Sequence, residues 1–442
     1  MRPAPSVRIA HAPNWFDSLL FLALMSGPPR FRDRDAFASL SGDIDLVVLI
    51  HVATWTCGGL WVLARLYPAL LRRNVVPSVN PAQALGALFI TALSLSAWES
   101  PGILLTLFTL GQFVVMLGFT WVFTHRFGTS ACLRHLFIGV SILALATVAA
   151  VFLAPELVIF DQEFVTGVTR IRGDLIADTG TLAMIGLVLC LSNAPALQPR
   201  MFWGAFCLFG ALLASSRSRS AYIAFVVYLG IGFIHGKGLR VRQLVLPLAA
   251  LAFSMLLLEA LPSTVDYLVR ERDSVETMSD RIPLWQHLTT VVMRESPIIG
   301  MGYYAASRVV ATEYNPVLGN AHSAFFEVLV GGGMVGAALF LALCAWLARF
   351  ALRLLRLASG QPSAVAAAGL LFATLMTGLT TPASLQPGPL GFAFWSLTAL
   401  LPALVREAAP ARIDGGKRLY AQRSNLGVAG NGRLAVVNRQ AP

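Results

Sequence analysis

Long apolar runs dominate this sequence. Stretches of about 15 to 25 predominantly apolar residues recur along the chain, the length at which an α-helix crosses a hydrocarbon core about 30 Å thick. Short segments rich in Arg, Pro and Gly separate them. Of the 442 residues, 56% are hydrophobic and 12% are charged, which is about half the charged share of a soluble globular protein. The sequence therefore predicts an all-α polytopic integral membrane protein.

The apolar runs predict about twelve transmembrane helices in a single domain, residues 1–405. They are expected at 14–27, 44–66, 81–98, 100–124, 136–159, 174–192, 201–216, 219–235, 243–260, 322–348, 364–381 and 389–405. The first run resembles the core of a signal peptide, but it ends in Gly-Pro-Pro-Arg without a small-residue cleavage site, so we expect a retained helix. An even number of spans places both termini on the same side of the membrane.

Basic segments between the predicted helices set the orientation. Five of them fall on one side of the membrane: Arg72 with Arg73, residues 125–135, residues 235–243, residues 348–360, and the tail from Arg406 onward. By the positive-inside rule that side is cytoplasmic, and both termini lie there. Loop 28–43 is an exception on the opposite side, where three aspartates partly offset three arginines.

The basic residues serve topology first. The net charge is +11, but the positive side chains fall largely in loops and in the tail, so the charge does not indicate a nucleic-acid partner. The tail, residues 406–442, is basic and rich in Gly and Ala. We expect it to be disordered and attracted to anionic membrane lipids.

The cysteines predict no metal site. The five are scattered in or beside apolar runs without a CxxC pair: Cys57, Cys132, Cys190, Cys207 and Cys344. Such spacing is typical of small apolar residues within a helix bundle.

Three segments are expected at the outer face: residues 160–173, the turn near 215–220, and the long loop 261–321. Loops of that length are usually functional. Within the long loop, apolar residues at helical spacing predict a helix lying partly on the membrane surface: Ile282, Trp285, Leu288 and Val292. Pro297, Gly300 and Gly302 then end this helix and turn the chain.

Several arginines are expected at the same outer face. Arg217 and Arg219 lie between two apolar runs, and Arg281 precedes the loop helix. Arg170 and Arg172 come before the sixth span. Each could be an interfacial anchor, but several together favour a site for a phosphate or diphosphate, which arginine binds through paired hydrogen bonds. Side chains two residues apart on a helix point in directions that differ by about 200° around the helix axis, so only one of Arg217 and Arg219 can face inward.

His322 heads the apolar segment "SAFFEVLVGGGMVG". A histidine at such a boundary is either an interfacial residue or a general base, the role imidazole takes near neutral pH. Glu327 lies five residues further on inside the apolar span, where a carboxylate is costly and indicates a buried partner or a role. The glycines at 331–333 and 336 permit close helix packing.

The order of these motifs resembles the O-antigen ligase and polymerase superfamily over roughly residues 165–340. The segments are "SRSAY", "DRIPLWQHLTTVVMRESPIIGMGY" and "NAHSAFFEVLVGGGMVGA", and "RIRGDLIAD" is similar to an Arg-x-x-Gly segment of that family. The residues that match directly are Arg219 with Ser220, Ala221 and Tyr222 after it, then Arg281, Trp285, Pro297, Gly300, Gly302 and His322. Ser323 departs from the pattern, because the family usually has Asn there. Either side chain can cap a helix start.

The resemblance implies a fold of the GT-C type and a glycosyltransferase at the outer, periplasmic face of the bacterial inner membrane. A glycan would move from undecaprenyl diphosphate to an acceptor hydroxyl without a metal, a nucleotide or another cofactor. His322 would be the general base, and the diphosphate would be held by Arg219, Arg281, Arg217 and Arg172. Supporting roles are expected for Trp285, Glu327, Tyr222 and Ser323. The long Arg-rich loop and the twelve spans are most similar to the ligases, whose acceptor is lipid A core.

Other functions stay open at this stage. A polymerase of the same superfamily would use another lipid-linked repeat as acceptor, and a related ligase would glycosylate protein. A metal-dependent GT-C enzyme could use the aspartate pairs Asp33 with Asp35 and Asp43 with Asp45, since such pairs can hold a divalent cation. A polyprenyl-lipid flippase or transporter would also suit arginines in a cavity, but the chain shows no internal repeat of the kind many transporters carry.

Overall fold

The computed structural model of the protein describes most of the chain. The described residues are 12–27, 46–71, 79–155, 158–161, 169–171, 178–216, 218–235, 281–315 and 319–409.

Thirteen α-helices lie within these residues. In chain order they are α1 Trp15–Ser26, α2 Leu46–Leu71, α3 Pro81–Leu95, α4 Ile103–Phe127, α5 Thr129–Leu153, α6 Thr179–Ser192, α7 Pro199–Ser216, α8 Arg219–His235, α9 Arg281–Glu295, α10 Ala305–Tyr314, α11 Ala324–Leu357, α12 Pro362–Gly378 and α13 Pro389–Ala408. Two 3₁₀ turns, Ser96–Glu99 and Pro382–Ser384, follow α3 and α12.

Polar residues cap the starts of α1 and α3. Asn14 caps α1 by accepting a hydrogen bond from the Asp17 amide at 2.8 Å, while the Asp17 carboxylate accepts one from the Asn14 amide at 3.2 Å. Asn80 and Gln83 form the same reciprocal pair ahead of α3, where Pro81 occupies the first helical position. These bonds satisfy amide groups that have no partner within the helix.

The core of the bundle surrounds α13. This helix packs against α1, α3, α4, α5, α6, α11 and α12. Trp395 of α13 is fully buried, and its ring lies 5.5 Å from Phe113 and 6.5 Å from Phe89, measured between centroids. Offset aromatic pairs at these distances stabilise a core beyond their apolar burial.

The helices confirm a polytopic membrane protein. Eleven of the twelve predicted spans coincide with described helices, and the remaining one, 243–260, lies outside the described residues. Six of the described helices are both long and apolar enough to cross a membrane, while α1, α6, α8 and α12 are shorter apolar helices. The count of twelve crossings stays a prediction.

A small β-hairpin interrupts the all-helical prediction. Strands β1 Ile159–Asp161 and β2 Thr169–Ile171 pair antiparallel, with Phe160 opposite Arg170. Except for Ile159, which was expected at the end of the span 136–159, they lie in the predicted outer segment 160–173.

The predicted single span 322–348 is wrong in one respect, because α11 breaks at Gly333. This residue has φ 58° and ψ −158°, which are not helical angles. The rings of Phe325 and Phe340 then lie 5.3 Å apart between centroids, whereas fifteen residues of straight helix would separate them by about 22 Å. The arm 324–332 therefore folds back toward the body of the helix, 334–357.

The turn after α9 satisfies the backbone groups at this break. Met301 donates its amide to the Val330 carbonyl at 2.9 Å. The Met334 and Val335 amides donate to the carbonyls of Pro297 and Ile298 at 2.9 and 3.1 Å. A helix interrupted in a buried region would otherwise leave these donors and acceptors without partners.

Candidate active site

The turn between α7 and α8 fixes the position of Arg219. A Cβ atom added at Gly180, on α6, would lie 2.5 Å from Ser218 Cβ, so only glycine lets the turn approach this helix. Tyr222 donates its hydroxyl to the Ala214 carbonyl at 3.2 Å and so ties α8 to α7. Arg219 opens α8 with an exposed side chain.

Arg281 lies close to Arg219 although the two are far apart in sequence. Its Nη1 donates to the Thr380 carbonyl at 3.1 Å, just beyond the end of α12. Partial burial lowers the pKa of the Arg281 guanidinium, and the positive charge of Arg219 lowers it further. Two cations held together at the starts of two helices form a place where an anion would be stabilised.

Trp285 joins α9 to the segment that carries His322. Its Nε1 donates to the Ala321 carbonyl at 2.8 Å, and its ring stacks on Phe326 at 4.8 Å with an interplanar angle of 12°. The predicted apolar face of α9 needs a correction at Ile282, which is exposed. The buried positions are Leu284, Leu288 and Val292, because α9 packs on α10 and α11.

His322 adopts an uncommon backbone conformation. Its φ is 48°, in the left-handed region that non-glycine residues rarely occupy. The His322 amide donates to Asn320 Oδ1 at 2.8 Å, which closes a tight turn before α11. Ser323 takes the N-cap position, but its buried hydroxyl makes no capping hydrogen bond, contrary to the expected role. The turn therefore depends on Asn320 and on tertiary contacts.

Glu327 is fully buried and paired. Its Oε1 accepts a hydrogen bond from Ser307 Oγ at 2.7 Å and lies 3.4 Å from Arg308 Nη1. Arg308 also donates to the Tyr304 carbonyl at 2.7 Å, and its guanidinium lies over the Tyr304 ring. The sequence predicted a buried partner for Glu327. It did not identify Ser307 or Arg308, which occur in a short helix without a recognisable motif.

The end of α12 lies next to both Arg281 and the start of α11. A Cβ atom at Gly378 would lie 3.7 Å from the Cβ of Ala324, the first residue of α11. Two residues after Gly378, Thr380 accepts the hydrogen bond from Arg281. Arg281 and the start of α11, which His322 precedes by two residues, therefore flank the same chain end.

Most of the other predicted site residues lie outside the part of the chain that the structure describes. Arg217 and Arg172 lie outside the described residues, and so do the four aspartates of the alternative metal site: Asp33, Asp35, Asp43 and Asp45. Arg170 contributes its backbone to β2.

Residues 203–341 match the family model described as O-antigen ligase. This part of the chain is similar to the O-antigen ligase family. No curated protein sequence matches the chain. The matched region begins within α7 and ends within α11, so it contains Arg219, Arg281, Trp285, His322 and Glu327. Arg172 precedes it. The match confirms the resemblance seen in the motifs, over about a third of the chain.

Proposed function

We propose that the protein is an O-antigen ligase of GT-C type at the periplasmic face of the bacterial inner membrane. It would transfer O-antigen polysaccharide from undecaprenyl diphosphate to a sugar hydroxyl of lipid A core. The observation that carries this proposal is that Arg281 and the start of α11, next to His322, both lie at the end of α12, within the region that matches the family. The charge of Arg219 acts on Arg281 at the same place. Members of that family are membrane enzymes that transfer glycosyl groups.

The paired arginines suit the donor diphosphate. Repulsion between Arg219 and Arg281 contributes to the lowered pKa of Arg281, and an anion between the guanidinium groups would offset that repulsion. Negative charge grows on the diphosphate as it leaves, so fixed cations stabilise the transition state more than the ground state. Arg217 and Arg172 are proposed to add to this charge.

His322 is proposed as the general base. Its imidazole nitrogen would accept the proton of the acceptor hydroxyl as that oxygen bonds to the anomeric carbon of the donor glycan. The bond between this carbon and the diphosphate oxygen breaks, and undecaprenyl diphosphate leaves with the electron pair. A single displacement inverts the anomeric carbon. In this proposal the transfer uses only side chains of this protein and requires no metal or cofactor.

The orientation follows from the basic segments. With 125–135, 235–243, 348–360 and the tail on the cytoplasmic side, the α7–α8 turn and the starts of α9 and α11 face the periplasm. Lipid-linked glycan and lipid A core both present their sugars at that face in this proposal.

A purified-component assay tests the proposal. The protein is reconstituted in vesicles with undecaprenyl-diphosphate-linked glycan and is offered either lipid A core or a second lipid-linked repeat. We expect transfer to lipid A core, with EDTA leaving the rate unchanged. Transfer only to the lipid-linked repeat would identify a polymerase instead. Loss of activity in EDTA and its return with Mn²⁺ would overturn the metal-independent mechanism. Glycolipid crossing the bilayer without transfer to either acceptor would overturn the enzyme assignment.

A further inference from the structure

The carbonyl of the peptide bond before His322 is held by a helix outside its own turn. The Ala321 carbonyl accepts the hydrogen bond from Trp285 Nε1 at 2.8 Å. Ala321 itself is fully buried. The backbone that immediately precedes the proposed base therefore receives a contact from α9.

On the other side of His322, the first turn of α11 is anchored on α10 through the Glu327 carboxylate. Ser307 Oγ donates to Glu327 Oε1 at 2.7 Å, and Arg308 Nη1 lies 3.4 Å from the same oxygen. The Glu327 side chain is fully buried and the Arg308 side chain is 11% exposed. Burying an ion pair costs much of what its attraction returns, so stability alone is a weak reason for such a pair. A geometric role explains it better.

The backbone conformation of His322 must be maintained by the structure around it. With φ at 48°, a histidine persists only where the surroundings determine the backbone. Asn320 holds the His322 amide at 2.8 Å, but both residues belong to the same turn. Trp285 connects that turn to α9, and Glu327 connects the start of the helix after it to α10.

We propose that Trp285 and Glu327 form a clamp around His322. As positioning residues they fix the Ala321 carbonyl before it and the first turn of α11 after it, and thereby aim the His322 imidazole at the acceptor hydroxyl. Neither residue needs to touch the donor or the acceptor. The hypothesis rests on the proposed function, since it requires His322 to be the base. It goes further in assigning the buried Glu327–Arg308 pair and the Trp285 indole N–H to the orientation of that base.

Double-mutant kinetics test the clamp. Glu327→Gln removes the charge at nearly constant shape, and Trp285→Phe removes the N–H donor while retaining an aromatic ring against Phe326. We expect each to slow single-turnover transfer about ten- to a hundredfold, the usual cost of a misplaced catalytic group, with donor affinity unchanged. Because both residues act through His322, combining either with His322→Ala should give a rate no lower than that of His322→Ala alone.

The control is Glu295→Gln, on the exposed end of α9, which should transfer at the wild-type rate. Hydrogen exchange gives a second readout: amides of the peptide spanning 319–326 should exchange faster in Glu327→Gln and in Trp285→Phe than in the control. If Glu327→Gln does not fold, Trp285→Phe and the smaller change Ser307→Ala carry the same test.

Two results would overturn the clamp while leaving the proposed function intact. One is an additive double variant, slower than His322→Ala by the full factor of the single change. The other is a lower donor affinity with an unchanged single-turnover rate. A different result, full transfer by His322→Ala, would instead reject the proposed base and with it the need for a clamp.

Discussion

The backbone of Gly300 packs directly against the backbone of Gly333. A Cβ atom on Gly300 would lie 2.4 Å from the Gly333 nitrogen, and one on Gly333 would lie 2.6 Å from the Gly300 nitrogen. Both residues also have positive φ, at 75° and 58°. The turn after α9 can therefore pack into the break in α11 only because neither Gly300 nor Gly333 carries a side chain.

Gly333→Ala should destabilise the protein. Alanine strains the backbone at φ 58° and ψ −158°, at a cost of about 1–3 kcal/mol, and its methyl group would meet the Ile298 carbonyl at 2.5 Å. The measurement is the thermal unfolding midpoint in detergent, which should fall. Gly111→Ala on α4 is the control, since a Cβ there meets no atom within 4 Å. An unchanged midpoint for Gly333→Ala would contradict the packing described.

The sequence predicted helix positions well and the break poorly. Apolar run length identifies a helix locally, so eleven described helices fell where expected. The break at Gly333 depends on the turn at 297–302, more than thirty positions away, which supplies partners for the backbone groups that the break releases. Clustered glycines also suit close packing of an unbroken helix, so the pattern alone could not separate the two.

In the candidate site, the sequence likewise predicted the main side chains but not their hydrogen-bond partners. Arg219, Arg281, Trp285 and His322 were identified from their order along the chain, and the family match covers them. Their partners were missed because several are backbone carbonyls, at Thr380 for Arg281 and at Ala321 for Trp285. Any residue type can supply a carbonyl, so no side-chain pattern marks it.

His322→Ala should lower transfer without lowering donor binding. General base catalysis typically contributes about 10²- to 10⁴-fold to the rate, and the diphosphate contacts do not involve the imidazole in our proposal. The measurement pairs single-turnover transfer with binding of a fluorescent lipid-linked glycan. His287→Ala is the matched control, because that histidine lies on α9 against Tyr314 at 5.0 Å between ring centroids. Equal loss in both variants would point to a general effect on the loop.

Arg219→Ala and Arg281→Ala should each weaken donor binding. A hydrogen bond to a charged group contributes about 1.5–3 kcal/mol, so the Kd for lipid-linked glycan should rise by roughly tenfold or more. Arg294→Ala removes an exposed arginine from the opposite end of α9 and should leave the Kd unchanged. If both arginine variants bind the donor as wild type does, the diphosphate lies elsewhere.

Arg281→Lys should make transfer sensitive to alkaline pH. Lysine has an ordinary pKa of about 10.4, and the two causes that lower the pKa of Arg281, burial and the charge of Arg219, would lower that of a lysine placed there. The cation is then lost as pH rises through the lowered value, whereas arginine stays protonated. The ratio of variant to wild-type rate should therefore fall as the pH rises, at pH values below the ordinary lysine pKa of about 10.4. Taking this ratio cancels titrations common to both proteins, such as those of the acceptor and the histidines. Arg294→Lys, at an exposed position, should give a ratio that does not change with pH. A constant ratio for Arg281→Lys would show that the charge at this position does not act in the reaction.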